Sequence, residues 1–158
     1  MKNLFLLRHA KSSWDNAALA DFDRPLSKRG ISNAILLSEH IQKHNITFDL
    51  VLSSPSERTQ STLDLVLSSL DHFPTTTLKQ SIYHASLFSL TQLIKEQDDA
   101  INNLLIIGHN PGLHILTEQL TNQSIVKFPT CAFAKITNFH KTPIFIFLSC
   151  NIFPRFMI

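Results

Sequence analysis

Residues 3–14 read NLFLLRHAKSSW. The apolar run 3–7 has the length of a core strand and no alternation, which is the pattern of a strand buried on both faces. It passes directly into Arg8 and His9, so burial must stop where those two side chains begin. Strands of this kind belong to parallel sheets covered by helices on both sides.

The rest of the chain repeats the alternation of apolar runs and helical periods. Further strands are expected at 48–53 (FDLVLS), 103–107 (NLLII), 132–137 (AFAKIT) and 144–149 (IFIFLS), with a weaker one near 77–83. Residues 28–44 place Ile31, Ala34, Ile35, Ser38 and Ile41 on one helical face, with Ser27 as N-cap. Segment 57–70 does the same through Leu63, Val66, Leu67 and Leu70, and 87–98 and 113–121 also read as helices. The expected fold is an α/β three-layer sandwich, a mostly parallel central sheet with helices on both faces. The longest irregular stretch is 10–26, a length that is unusual without a function.

With 158 residues, 44% of them hydrophobic, the chain is expected to form a single domain over 1–158. A net charge of +2 without any basic run gives no reason to expect nucleic acid or a membrane surface as partner. Cys131 and Cys150 have neither metal-ligand spacing nor the density of a disulfide framework, so both are read as reduced residues of a cytoplasmic protein. The opening apolar run is too short for a signal peptide. The tail PIFIFLSCNIFPRFMI is broken by Pro143, Asn151, Pro154 and Arg155, and suits core strands or an apolar cap better than a membrane helix.

Two more strands end as the first does. FDLVLS runs into SPSERT with Arg58, and NLLII into GHNPG with His109. Open parallel sheets bind ligands beyond the carboxyl ends of their strands, so these segments could bring two arginines and two histidines to one edge. Paired guanidinium forks and helix N-termini suit the oxygens of a tetrahedral dianion, which describes a phosphate pocket. Pro55 is expected as the first residue of a helix, with Arg58 in its opening turn. Of three glycines, Gly108 and Gly112 flank His109, where a tight turn would use them. Each feature alone is equally a solvated strand end or an ordinary turn, and spacing leaves both readings open.

At these residues the sequence resembles the histidine phosphatase superfamily, and within it the short phosphohistidine phosphatases of the SixA type. RHAKSSW, DFDRPLSKRG, LVLSSPSERTQST, IIGHNPGL and FPTCAFAKI are similar to that branch's blocks, in its order. The resemblance implies a phosphoglycerate mutase-like fold and a phosphatase in which His9 takes up the phosphoryl group while Arg8, Arg58 and His109 hold its oxygens. It also implies substrate contacts from Ser12, Ser13, Arg24 and Asn110, the last mainly through its backbone N–H. No cofactor and no metal are implied. Neighbouring cations should keep His9 unprotonated near neutral pH.

The chain departs from the family in places. Ala10 stands where Gly usually follows the Arg-His pair, Asp15 where mutase-like members carry Asn, and Cys131 where a small residue, often Gly, follows Pro-Thr. Asp15 is expected to point away from the phosphate, and Cys131 to be buried packing. The stretch LKQSIYHASLFSL lacks the glutamate with which mutases and many phosphatases of the superfamily protonate a leaving oxygen. A phosphohistidine donor needs less help, since imidazole has a conjugate-acid pKa of about 6.5. The favoured substrate is therefore phosphohistidine on a protein, with Asp21 or Asp23 as substitute acids if esters are used. The alternatives are a phosphatase for small phosphate esters or nucleotides, and a non-catalytic phosphoprotein-binding module. The remaining histidines, including His40 and His44 on one helix, are read as surface and not as a metal site. Neither the donor protein nor the oligomeric state is legible.

Overall fold

The computed structural model describes residues 3–70, 72–137 and 150–152. Among the described residues six strands form one sheet: β1 (Asn3–Arg8), β2 (Leu50–Ser53), β3 (Thr75–Leu78), β4 (Asn103–Gly108), β5 (Phe133–Thr137) and β6 (Cys150–Ile152). Their order is β3-β2-β4-β1-β5-β6. The β1–β4, β2–β4 and β2–β3 pairs are parallel, whereas the β1–β5 and β5–β6 pairs are antiparallel. The expected strand at 144–149 lies outside the described residues. The weak one near 77–83 sits earlier, at Thr75–Leu78, because the polar threonines form a solvated edge while buried Ile82 belongs to the 3-10 turn Gln80–Ile82.

Helices cover both faces: α1 (Lys28–Lys43), α2 (Glu57–Leu67), α3 (Leu87–Lys95) and α4 (Gly112–Thr121). Strand alternation divides the core accordingly. Phe5, Leu7, Val51, Leu105 and Ile107 pack with Ala34, Leu37, Ile41, Leu63 and Val66 of α1 and α2. Leu4, Leu6, Leu52, Leu104 and Ile106 pack with Leu90, Leu93, Leu113 and Leu116 of α3 and α4. Burying the central strands on both faces explains their unbroken apolar sequence.

Ser27 caps α1, its side chain accepting from Gly30 N–H. The buried face of that helix is shifted from the expected one: Leu37 is buried, whereas Ile31 and Ile35 are exposed. A periodic apolar stripe wider than the contact leaves its flank in water, and only packing decides which flank. Pro55 lies two residues before α2, whose N-cap is Ser56, so Arg58 is the second helical residue. No glycine has a positive φ. Gly112 is needed for space instead, since a Cβ there would stand 2.3 Å from the Ala85 carbonyl oxygen.

Candidate active site

The three strands with polar ends, β2, β4 and β1, are neighbours in the sheet. Arg8 pairs with Gly108 and Ser53 with Ile107, which sets the following residues side by side at one edge. The backbone of the first of these segments is tied down from several sides. His9 N–H donates to Gly108 O at 3.0 Å, Ala10 N–H to Thr62 Oγ1 at 3.0 Å, and Cys131 N–H to both Arg8 O and His9 O at 3.1 and 3.0 Å. Cys131 does this at φ 62°, in the left-handed region. That backbone conformation gives a physical reason for a preference for glycine at this position.

His9 is 8% exposed, and its Nδ1 lies 2.8 Å from Ala10 O. A carbonyl can only accept, so Nδ1 carries the proton and Nε2 keeps its lone pair. Burial, reinforced by the Arg58 and Arg8 charges, outweighs the Ala10 hydrogen bond and pushes the pKa down to about 4. His109 stands beside it, ring centroids 5.0 Å apart. Its Nδ1 faces Arg58 Nη2 at 3.4 Å and its Nε2 faces Ser54 Oγ at 2.9 Å. A guanidinium only donates, which makes Nδ1 the acceptor and Nε2–H the donor to Ser54. Burial, then the fields of His9, Arg58 and His84, push His109 to about 3. Both imidazoles are neutral in the free site.

Arg8 donates from Nη1 to Phe128 O at 2.9 Å, but its buried Nε–H has no partner. Arg58, 4% exposed, reaches from α2 to the loop: Nη1 to Asp21 O and Nη2 to Asp21 Oδ2, the latter at 2.8 Å. Asp21 also accepts from Tyr83 OH at 2.9 Å and lies 3.3 Å from Arg24 Nη1. Desolvation raises its pKa, but the hydrogen bonds from Tyr83 and Arg58 and the arginine charges outweigh this and hold it below the usual carboxylate value. Asp21 is therefore a carboxylate, unsuited to donating a proton. Two guanidinium groups, two neutral imidazoles and an unpartnered buried N–H converge here, a donor-rich, low-dielectric arrangement for a tetrahedral oxyanion.

The four other expected site residues divide. Ser12 Oγ accepts from Arg24 Nη2 at 3.0 Å, and Arg24 Nε and Nη2 also donate to Ser13 O at 2.9 and 2.8 Å. With Trp14 stacked 3.2 Å over its guanidinium, Arg24 is a strut inside loop 10–26. Ser13 turns its hydroxyl to Asp15 at 2.7 Å, which also places Asp15 away from the four central side chains. Asn110 donates from Nδ2 to Phe128 O at 2.8 Å and precedes a cis peptide to Pro111. Beyond Arg8 opens a groove of about 450 Å³ lined by Lys11, Asn110, His114, Val126 and Lys127, among others. Among the described residues no His, Cys, Asp and Glu group suits a metal ion, and no helix is long and apolar enough to cross a membrane.

Residues 4–80 match the family model of the histidine phosphatase superfamily, branch 1. Over those residues, just under half of the chain, it is similar to that superfamily. Its fold is similar to that of the Agrobacterium tumefaciens protein named as a SixA phosphohistidine phosphatase, with TM-score 0.81 and 25% identity over 86% of this chain and 91% of that one. The protein histidine phosphatase SixA solved with tungstate gives 0.76 and 22%, covering 85% and 87%. An Escherichia coli α-ribazole-5′-phosphate phosphatase gives 0.70 and 20%, covering 96% and 95%. An uncharacterised chloroplastic protein of Arabidopsis thaliana is 53% identical over 38 residues, which are 24% of this chain and 17% of that protein.

Within this fold, the sequence reading missed Tyr83, His84, Ser54 and the Cys131 backbone N–H. Tyr83 and His84 lie in the glutamate-free stretch and carry rings 5.3 and 5.9 Å from that of His109. A signal was present in the cluster Tyr-His itself, but it directly follows a 3-10 turn and has no periodicity.

Proposed function

We propose that this protein is a phosphatase that works through a phosphohistidine at His9, and that its donor is phosphohistidine carried on a protein. The observation that carries this reading is the Nδ1 contact to Ala10 O, which leaves a neutral Nε2 lone pair beside two guanidinium groups. Nε2 attacks phosphorus and the donor's P–N bond breaks, releasing imidazole. Water then attacks the phosphoryl group on His9, and inorganic phosphate leaves as Nε2 recovers its lone pair. Arg8 and Arg58 neutralise the equatorial oxygens through both steps, and most of the catalysis is positioning and electrostatics.

Binding of the dianion raises the proton affinity of His109, turning it from a partner of Arg58 into a donor to phosphate. The imidazole leaving group, with its conjugate-acid pKa of about 6.5, departs without a strong acid. Support for a protein donor comes from the open flank of Arg8, where Lys11, His114 and Lys127 offer a basic shelf for the donor's surface. The name of the tungstate-bound SixA neighbour, protein histidine phosphatase, agrees with it.

Rapid quenching with a phosphohistidine protein tests the proposal: an acid-labile phosphoryl group is expected on His9, and none in His9→Ala. Turnover undiminished in His9→Ala would sink it. A non-catalytic binding module would bind the phosphoprotein without forming the adduct.

A further inference from the structure

The lip of the site is built by the 3-10 turn Gln80–Ile82 and the two residues after it. Ile82 is buried and anchors the turn. His84 adopts φ 53°, a conformation that costs a non-glycine residue free energy and persists only where surroundings impose it. Its ring lies 4.2 Å from that of Tyr83 and 5.9 Å from that of His109, and Nε2 is 3.9 Å from Asp21 Oδ2. The His84 side chain is 61% exposed, so the His109 ring neighbours both the buried His9 ring and a solvent-facing imidazole.

We infer that His84, oriented by the Asp21 carboxylate, is the proton donor for an oxygen leaving group and gives the site a second activity, hydrolysis of phosphate monoesters. The inference rests on the phosphatase reading and extends its substrate class. In-line displacement puts the leaving atom opposite the attacking nitrogen, toward the open side of a pocket whose nucleophile is buried. Of the ionisable groups gathered here among the described residues, Asp21, Tyr83 and His109 are engaged elsewhere. Asp21 is held ionised by Tyr83 and Arg58. Tyr83 donates a hydrogen bond from its hydroxyl to Asp21, and burial together with that bond pushes its pKa up. His109 turns Nε2 to Ser54 and Nδ1 to Arg58. His84 remains, and histidine is the side chain suited to giving and retaking a proton near neutral pH.

The step balances. His9 Nε2 forms the N–P bond, the P–O bond to the alcohol breaks, and the departing oxygen takes a proton from the His84 imidazolium. Neutral His84 then accepts a proton from the water that hydrolyses phospho-His9, and phosphate leaves. An alkoxide needs this proton, a nitrophenolate hardly, and a phosphohistidine donor that enters with its imidazole protonated needs none. The signature of His84 is therefore a dependence on the leaving group.

The test compares the wild type with His84→Asn, which tolerates the left-handed backbone, and with His84→Glu, which restores an acid. Each is assayed with a phosphohistidine protein, p-nitrophenyl phosphate, phenyl phosphate and glycerol phosphate. In His84→Asn the loss of kcat/KM is expected to grow with the leaving-group pKa, from a few-fold for p-nitrophenyl phosphate to about 100-fold or more for glycerol phosphate. His84→Glu is expected to recover part of the glycerol phosphate rate. An equal loss across the series, or no glycerol phosphate turnover in the wild type, would overturn the inference while leaving the phosphohistidine activity intact. Failure of the underlying reading looks different: no acid-labile phosphate on His9 from any of the four substrates, which removes both.

Discussion

Asp21 Oδ2 accepts from Arg58 Nη2 at 2.8 Å, so the free site already satisfies one of its two guanidinium groups with a carboxylate from its own loop. The contact joins the 3-10 turn Asp21–Asp23 to the second residue of α2 across 37 residues of sequence. It settles the protonation of Asp21, places a fixed negative charge beside the lip histidine, and sets a competitor against any incoming oxyanion.

Replacing that competitor has a predictable sign. Asp21→Asn keeps an acceptor for Tyr83 but removes the charge that repels a dianion and occupies Arg58. Because Asp21 is half exposed, the effect is modest, about 1 kcal/mol, or roughly fivefold in affinity. Calorimetric titration with tungstate or vanadate is expected to give tighter binding in the variant. Ester turnover is expected to fall in the same protein, since His84 loses its orienting partner. An oxyanion affinity that is unchanged or weaker would show that Asp21 does not compete.

The buried histidines give the fold a pH dependence. His9 and His109 are pushed down to about 4 and about 3, in both cases chiefly by burial. In the unfolded chain each titrates near about 6.5. Between these values the unfolded chain binds more protons than the fold. Stability is thus full above about pH 6.5 and falls as pH drops, by about 1.4 kcal/mol per pH unit for each histidine. Urea denaturation at pH 7 and pH 5 is expected to show the loss, and His109→Gln to reduce its slope. An NMR midpoint for His9 near 6.5 would contradict this and would leave a partly protonated nucleophile at neutral pH.

Cys131 holds the backbone of Arg8 and His9 through its N–H while occupying φ 62°. A left-handed residue with a Cβ costs roughly 1–2 kcal/mol, and β-branching adds to that. Cys131→Gly relieves the backbone but leaves space in the core, so its net change is expected within about 1 kcal/mol. Cys131→Val is expected to destabilise by about 2 kcal/mol or more and to slow phosphorylation of His9, because Arg8 O and His9 O lose their common donor geometry. Burial pushes the thiol to about 12, so alkylation by iodoacetamide should require unfolding. Thermal denaturation of the three proteins and labelling of the native one decide these points.

Periodicity and strand length made the central sheet legible. The runs at 3–7, 48–53 and 103–107 each overlap an observed strand, because burial on both faces removes every competing pattern. The convergence of Arg8, His9, Arg58 and His109 followed from the strand ends. The lip did not: Tyr83 and His84 reach His109 from a turn whose geometry depends on Ile82 packing under it, and no local period announces that. The partners of Ser13 and Arg24 were not legible for a related reason. They pair within loop 10–26, Ser13 with Asp15 and Arg24 with Ser12 and Trp14, and no periodicity displays such local contacts. The solvated threonines of β3 blurred the edge of the sheet in the same way, since an edge strand has no apolar face to display.

Gly112 connects the fold to that lip. It starts α4, and a Cβ there would lie 2.3 Å from Ala85 O and 3.2 Å from Leu90 Cδ1. A backbone oxygen cannot rotate away as a side chain does, so Gly112→Ala must move either the helix or the segment ending in His84 and Ala85. Gly108 makes a useful contrast, because its added Cβ would meet Ile82 Cγ2 at 2.9 Å, the end of a side chain. Overpacking of this kind costs about 1–3 kcal/mol, and the larger loss of Tm is expected for Gly112→Ala. If the lip is what moves, glycerol phosphate turnover falls more in Gly112→Ala than phosphohistidine turnover does, since only the ester needs His84 in place. Equal losses for both substrates would mean that α4 moves instead and carries His109 with it.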